Sequence, residues 1–384
     1  MTVPPLITRP HLVVLDTSHL AELATNWISA NRDRQRAAQM FIPGLVERGW
    51  LPLLCWHQVE ELLQHQNDEL VDARLRYLWS WPLVAWVRPS RQDAGPGSIL
   101  DVLKAEVMAA HVHSDADVFQ VRELVRDGLF SVGPATEAIP DVFRDWRLLR
   151  AALTDRQENA RRVTAISRWR AAKIDNTRIA DWMNKPLREG GEAVRMLQHL
   201  QNNLVDEIAA RGDKRISDPS VMASAFISEI ARNGHAIAAG CDLPPAIQLL
   251  VDAGLDLNEI DPSATFAETM DLLIFHKRLR IVAEANGLPL QELKRTVTRS
   301  RLPVIVVEEN MRAHAHDQPE RKGSELNDVH LLCLAPYADV TYVDKRTLES
   351  VRRAREKDVV FAKLIGHVSK AASCGEISAA LTEL

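Results

Sequence analysis

Leu12-Val13-Val14-Leu15-Asp16-Thr17-Ser18 is a short apolar run that stops at an aspartate and two hydroxyl residues. A run of this length ending in a polar turn reads as a buried parallel strand. A second such stretch, Ala338-Asp339-Val340-Thr341-Tyr342-Val343-Asp344-Lys345-Arg346, lies more than three hundred residues further on and also ends in an aspartate. In open α/β sheets ligands sit just beyond the carboxyl ends of the strands. Two strands that each deliver an aspartate to that edge can place two carboxylates around one metal ion.

Working outward from Asp16, helices are expected from Ser18 to about Asn31 and from about Arg32 to Glu47. Gly49-Trp50 turns the chain into a second strand, Leu51 to Cys55, and His57 to about Ser80 reads as helical. Pro82 to Pro89 looks like a third strand bracketed by prolines, and Ser98 with Asp101 resembles a capping box. Strands alternating with helices imply a doubly wound parallel sheet. From about 98 to about 300 the periodicity is helical, with breaks near Gly133-Pro134, Gly190-Gly191 and Gly254 to Pro262 and no convincing strand. The expected architecture is an α/β domain built from both termini (residues 1–97 and 302–384) carrying an all-α insertion over 98–301. One ankyrin-like segment, Leu249 to Asp256, occurs once and does not make a solenoid.

Composition narrows the class. The 384 residues are 46% hydrophobic and 26% charged, with a net charge of −5 and a mean hydropathy of −0.16. No stretch reaches the roughly 18–20 uncharged apolar residues of a membrane span, and Met1 to Pro5 lack the basic and apolar regions of a secretion signal. Cys55, Cys241, Cys333 and Cys374 are far apart, which fits reduced thiols in a cytoplasmic protein better than a disulfide framework or a zinc site. The negative charge argues against indiscriminate coating of nucleic acid, yet is compatible with an acidic metal site beside a local basic patch.

Five acidic residues, at four places in the chain, sit on elements that can reach one edge of the sheet. Asp16 and Asp344 end strands; Glu60 and Glu61 open the helix after strand two, in Trp56-His57-Gln58-Val59-Glu60-Glu61-Leu62-Leu63; Asp328 lies early in the helix Ser324-Glu325-Leu326-Asn327-Asp328. Like charges so placed repel, which favours a hard divalent cation held through oxygen. Such a cation activates water and stabilises charge on a phosphoryl oxygen.

Leu15-Asp16-Thr17-Ser18, Glu60-Glu61-Leu62-Leu63 and Gly323 to Arg346 together resemble a PIN-like nuclease domain. The likeness covers roughly residues 10–90 and 320–365, and is most specific over Gly323 to His330, Pro336 to Val340 and Val343 to Arg346. It implies Asp16, Glu61, Asp328 and Asp344 as the Mg²⁺- or Mn²⁺-facing set, and hydrolysis of RNA. Glu61 is preferred to Glu60 because the family's acid directly precedes the Leu-Leu pair. A hydroxyl residue often precedes the last acid in that family, where this chain has Val343.

Rival readings fail on single residues. A haloacid-dehalogenase-type phosphatase needs an aspartate where Ser18 stands, and an integrin-type metal site needs a serine where Leu20 stands. The histidine pairs His111/His113 and His314/His316 point apart on a helix, and Asp256 to Asp261 lacks the glycine and closing glutamate of a calcium loop. Asp339, before the apolar part of its strand, and His330, about 200° around its helix from Asp328, read as structural. Each acid also has a plain reading: Asp16 as a helix cap, Glu60 and Glu61 as a solvated face. Ser18 and Ser324 are secondary contacts to the same site, Ser324 chiefly as a cap. Residues 144–178 carry ten Arg and Lys against four Asp and Glu, interleaved with Trp146 and Trp169. Arginines track phosphates and aromatics stack on bases, which makes Arg161, Arg162 and Arg168 candidate nucleic-acid contacts, with Lys294 and Arg295 from a second basic cluster. The expectation is a metal-dependent endoribonuclease, for which a toxin or defence role would fit. The alternatives are a non-catalytic helical nucleic-acid- or protein-binding module with a vestigial acidic site, and a DNA structure-specific nuclease. A protein partner or homo-oligomer is compatible with the helical middle.

Overall fold

In a computed structural model of the chain, the described residues are 9–90, 95–166, 174–183, 190–238, 243–315 and 320–383. They divide into two compact units. The first comprises 1–157, 296–317 and 326–384; the second comprises 158–295 and 318–325.

The first unit is built on a six-stranded sheet. Its strands are β1 (His11–Val14), β2 (Trp50–Leu54), β3 (Val84–Val87), β4 (Phe130–Gly133), β5 (Val340–Tyr342) and β6 (His367–Ser369). The spatial order is β4-β3-β2-β1-β5-β6, parallel except for β4, which runs antiparallel to β3. Both ends of the chain thus contribute, and β1 pairs directly with β5 in the register Val13 to Val340 and Val14 to Thr341. Apart from exposed His11, the residues of β1 and β5 are all buried, as expected where helices cover both faces of a parallel sheet. Val13, Val14 and Leu15 are fully enclosed, and Leu20, Leu23, Leu45, Val59, Leu62 and Trp81 extend the same core.

Helices α1 (Thr17–Trp27), α2 (Arg32–Glu47), α3 (Trp56–Leu63), α4 (Asp68–Trp79), α5 (Ile99–Val112) and α6 (Val118–Leu129) follow the chain order. The expected helix over 57–80 is two helices. The Asn67 side chain accepts the Leu70 N–H at 3.2 Å and starts α4 afresh. The Ser98–Asp101 capping box forms as read, with the Ser98 N–H to Asp101 at 2.7 Å. Asp339 acts structurally: it accepts the Leu12 N–H at 2.7 Å, and its own N–H donates to the Leu12 carbonyl.

Two expectations need correction. Residues 98–157 belong to the sheet unit rather than to a helical insertion, and 296–301 return to it. The stretch Phe130-Ser131-Val132-Gly133 is a strand, β4, at the sheet's edge. It follows α6 without an intervening loop and is only half-buried, so although Gly133-Pro134 marks its end, no turn separates it from the helix and no long apolar run reveals it in the sequence.

The second unit is helical. Gly190–Arg211 pairs with Pro219–Ala238 around Leu204, Ile208, Ala223 and Ile227. A separate core gathers Ile179, Ile247, Leu250, Leu255 and Leu273. Phe266–Asn286 opens on a Thr265–Glu268 capping box and ends at Gly287, whose φ of 64° is the left-handed conformation of a helix stop.

Candidate active site

The chain progresses from β1 through β2 to β3 on one side of the sheet and from β5 to β6 on the other, so the crossover direction reverses between β1 and β5. A crevice opens at such a reversal, outside the carboxyl ends of the strands. Asp16 follows β1 and Asp344 follows β5, so the two aspartates leave neighbouring strands spaced about 4.8 Å apart.

Each aspartate also starts a helix. One carboxylate oxygen of Asp16 accepts the Ser18 N–H at 2.7 Å and caps α1. One oxygen of Asp344 accepts the Thr347 N–H at 2.7 Å and caps the helix Lys345–Lys357. The plain capping role is therefore real for both, and it anchors their carboxylates at the edge with the other oxygen left over.

Glu61 reaches this edge through a buried rivet. The Gln58 side chain donates to the Leu15 carbonyl at 2.7 Å and accepts the Cys55 N–H at 2.8 Å, which ties the first turn of α3 to the end of β1. Glu61, one turn further on, hydrogen-bonds with the Thr17 hydroxyl and lies within electrostatic range of Asp16. Burial, reinforced by the charges of Asp16 and Glu60, holds its carboxyl above the ordinary range against the pull of Thr17 and Arg74. The Arg74 guanidinium, on α4 and itself buried, donates to the Leu62 carbonyl at 3.0 Å. Glu60 turns elsewhere and accepts from Arg156 at 3.2 Å.

Asp328 is half-buried early in the helix Glu325–Leu332 and makes an interaction of its own within the chain. Two residues later, the His330 ring packs on that of His57 in α3, with centroids 4.3 Å apart. Burial first, then the charges of His330 and Arg156, push the His57 imidazole down to about 3, so it is neutral at physiological pH. The structure brings Asp16, Thr17 and Glu61 together and sets Asp344 one strand away, but the four acids do not meet as one cluster. Among the described residues no group of three or more His, Cys, Asp or Glu side chains is gathered as a metal seat. The physical reason is local: the caps hold Asp16 and Asp344 to their own helices.

A hard divalent ion such as Mg²⁺ keeps several waters and needs only one or two carboxylates. Asp16 and Glu61 with the Thr17 hydroxyl fit that requirement.

The remaining candidates sort differently. Ser18 is exposed beside the Asp16 cap. Ser324, Arg161, Arg162, Lys294 and Arg295 fall in the second unit. There Arg161 lies 3.9 Å from Asp213, and Arg162 lies 3.8 Å from Glu158 on the same helix. Lys294 is not an open phosphate contact: its side chain is 6% exposed, and its ammonium is shared by Asp256 and Glu259 at 3.0 and 2.9 Å. Arg295 is exposed. Arg168, Trp169, Cys241 and His316 lie outside the described residues. Trp146 is a core residue whose indole N–H donates to Asp72 at 2.7 Å, and Arg147 and Arg150 pair with Asp68 and Asp72 of α4. Sequence reading missed Thr17, Gln58 and Arg74 as parts of the site; only Thr17, next to Asp16, carried a signal.

The chain matches no known family model, no characterised protein and no solved structure.

Proposed function

We propose that the chain is a Mg²⁺- or Mn²⁺-dependent nuclease of the PIN-like kind, acting as an endoribonuclease on single-stranded or structured RNA. The observation that carries this reading is the position of Asp16 and Asp344 at the ends of neighbouring strands where the sheet order reverses, with Glu61 within electrostatic range of Asp16. Asp16 and Glu61 would hold the cation, joined by Asp344 from the end of the neighbouring strand and by Asp328. When bound, the cation supplies an activated water and neutralises charge on the phosphoryl oxygen. The residues position and exclude: Thr17 orients Glu61, Gln58 fixes α3 against β1, and the neutral His57 ring packs beside the edge. A cytoplasmic location and a role as a toxin or defence effector belong to the same proposal; among the described residues no helix is long and apolar enough to cross a membrane.

A second reading has a specific basis. Arg156 already neutralises Glu60, and the Arg74 cation lies near Glu61, as expected where an acidic site has become structural. The chain would then be a non-catalytic binding module. Asp16→Asn and Asp344→Asn separate the two, because asparagine caps a helix about as well as aspartate but is a poorer ligand for a hard cation. Mn²⁺- or Mg²⁺-dependent cleavage of single-stranded RNA that both substitutions abolish, with thermal stability retained, supports the nuclease. Undiminished cleavage in either variant ends it, and parallel DNA substrates decide the nucleic acid.

A further inference from the structure

The helix that Asp344 caps begins with two cations. Lys345 and Arg346 are both exposed, and the first turn holds no acidic residue. Positive side chains there oppose the helix dipole, which favours acids at this end. Helix stability therefore does not explain them. A third cation joins from the neighbouring strand: β6 ends at Ser369, whose carbonyl accepts the Val343 N–H at 2.9 Å, and exposed Lys370 follows directly. Lys345, Arg346 and Lys370 thus leave two adjacent parallel strands at the same edge as Asp344. Among the described residues no carboxylate forms an ion pair with any of the three. The arginines of 144–156 differ in this respect, since Arg144, Arg147, Arg150 and Arg156 each have an acidic partner.

We infer that Lys345, Arg346 and Lys370 form a phosphate-binding ledge that seats the nucleic-acid backbone beside the carboxylate edge. The assignment rests on the nuclease reading for its substrate class, and it locates the side from which that substrate is held. Carboxylates alone repel a polyanion, so a hydrolytic site of this kind needs cations nearby to hold the flanking phosphates. Three unpaired cations on the β5–β6 side, with the acids Glu60 and Glu61 of α3 on the β1–β2 side, give the crevice a polarity. The contact is to backbone phosphates and is therefore independent of sequence.

The experiment measures binding apart from cleavage. The full chain is titrated against a fluorescent single-stranded RNA in EDTA at several salt concentrations. The wild type is compared with Lys345→Ala/Arg346→Ala/Lys370→Ala and with a control, Arg34→Ala/Arg36→Ala, on the exposed start of α2. Each lost phosphate contact lowers the salt slope by about 0.7 for single strands. The triple variant is expected to lose about 2 from the slope and about tenfold or more in affinity at moderate salt, while the control changes little. Equal losses on single-stranded DNA of the same length support the backbone assignment. An unchanged slope in the triple variant, an equal loss in the control, or no binding by the wild type overturns the ledge. Cleavage that persists while the triple variant binds normally discards the ledge and leaves the nuclease standing. Salt-dependent binding through the ledge without any metal-dependent cleavage discards the nuclease instead.

Discussion

Glu106 offers the sharpest test of how the sheet unit is held together. It lies on α5, is fully buried, and accepts the Val304 N–H at 3.0 and 3.2 Å and the Tyr337 hydroxyl at 2.7 Å. Val304 is in the first turn of the helix Pro303–His314, whose preceding residue Leu302 provides no side-chain cap. A carboxyl from another helix therefore does the capping. Burial raises that carboxyl from 4.5 to about 8, opposed by the bonds from Tyr337 and Val304 and reinforced by Glu308; Arg122 and Cys333 act electrostatically on Tyr337. The folded state keeps a proton that the unfolded chain releases near 4.5. The stabilisation is therefore complete below pH 4.5, declines from there to about 8, and is constant above it. At about 1.4 kcal/mol per unit the whole decline is on the order of 5 kcal/mol. Glu106→Gln keeps a carbonyl oxygen for Val304 and has no proton to lose. Glu106→Leu leaves two buried donors unmade, at about 1–3 kcal/mol each and at any pH. Urea unfolding followed by tryptophan fluorescence suits the test, because Trp27, Trp50, Trp56, Trp79, Trp81, Trp86 and Trp146 all report on the sheet unit. Glu106→Gln is expected to gain on the wild type by up to about 1.4 kcal/mol per pH unit between 5 and 8. Parallel stability curves for the two proteins across that range refute the reasoning.

Three further outcomes follow from other contacts. A Cβ on Gly97 would meet the Arg88 carbonyl oxygen at 2.7 Å and Val87 at 2.9 Å, so Gly97→Ala should destabilise the sheet unit by about 1–3 kcal/mol in the same assay; an unchanged midpoint contradicts the packing. Lys294→Met leaves Asp256 and Glu259 facing each other, which should lower the stability of the helical unit by on the order of 2 kcal/mol. This is below the range for a fully buried pair, because Asp256 is nearly half-exposed; calorimetry of the isolated transitions checks it. His57, held down to about 3 against an ordinary 6.5, contributes stability above pH 6.5 that is lost as pH falls towards 3. Its ring protons should show no titration between pH 5 and 8 by NMR, and His57→Gln should make the acid limb of stability shallower. A His57 midpoint near 6.5 contradicts its burial.

Periodicity alone disclosed β1, β2, β3 and β5, since each is a compact apolar run bounded by turn residues and buried on both faces. It likewise placed Asp16 and Asp344 at strand ends and Glu61 in the helix after β2, because those positions depend only on local pattern. The edge strand β4 escaped because a half-buried four-residue strand fused to a helix has no pattern of its own. The assignment of 98–157 to the sheet unit depended on contacts remote in sequence, such as Glu106 reaching Val304 and Tyr337.

The partnering of charges belongs wholly to the fold. The basic character of 144–178 is visible in the residues, but only packing decides that Arg147 and Arg150 are spent on α4, that Arg156 goes to Glu60 and that Lys294 is enclosed. Lys345, Arg346 and Lys370, spread over two elements, come together only because β5 and β6 run parallel. Sequence determines which groups can carry charge and which segments must be buried, because both are local properties of side chains. Tertiary structure decides which charges are neutralised and which remain for a ligand, because Coulomb energy depends on distances that only the folded chain sets.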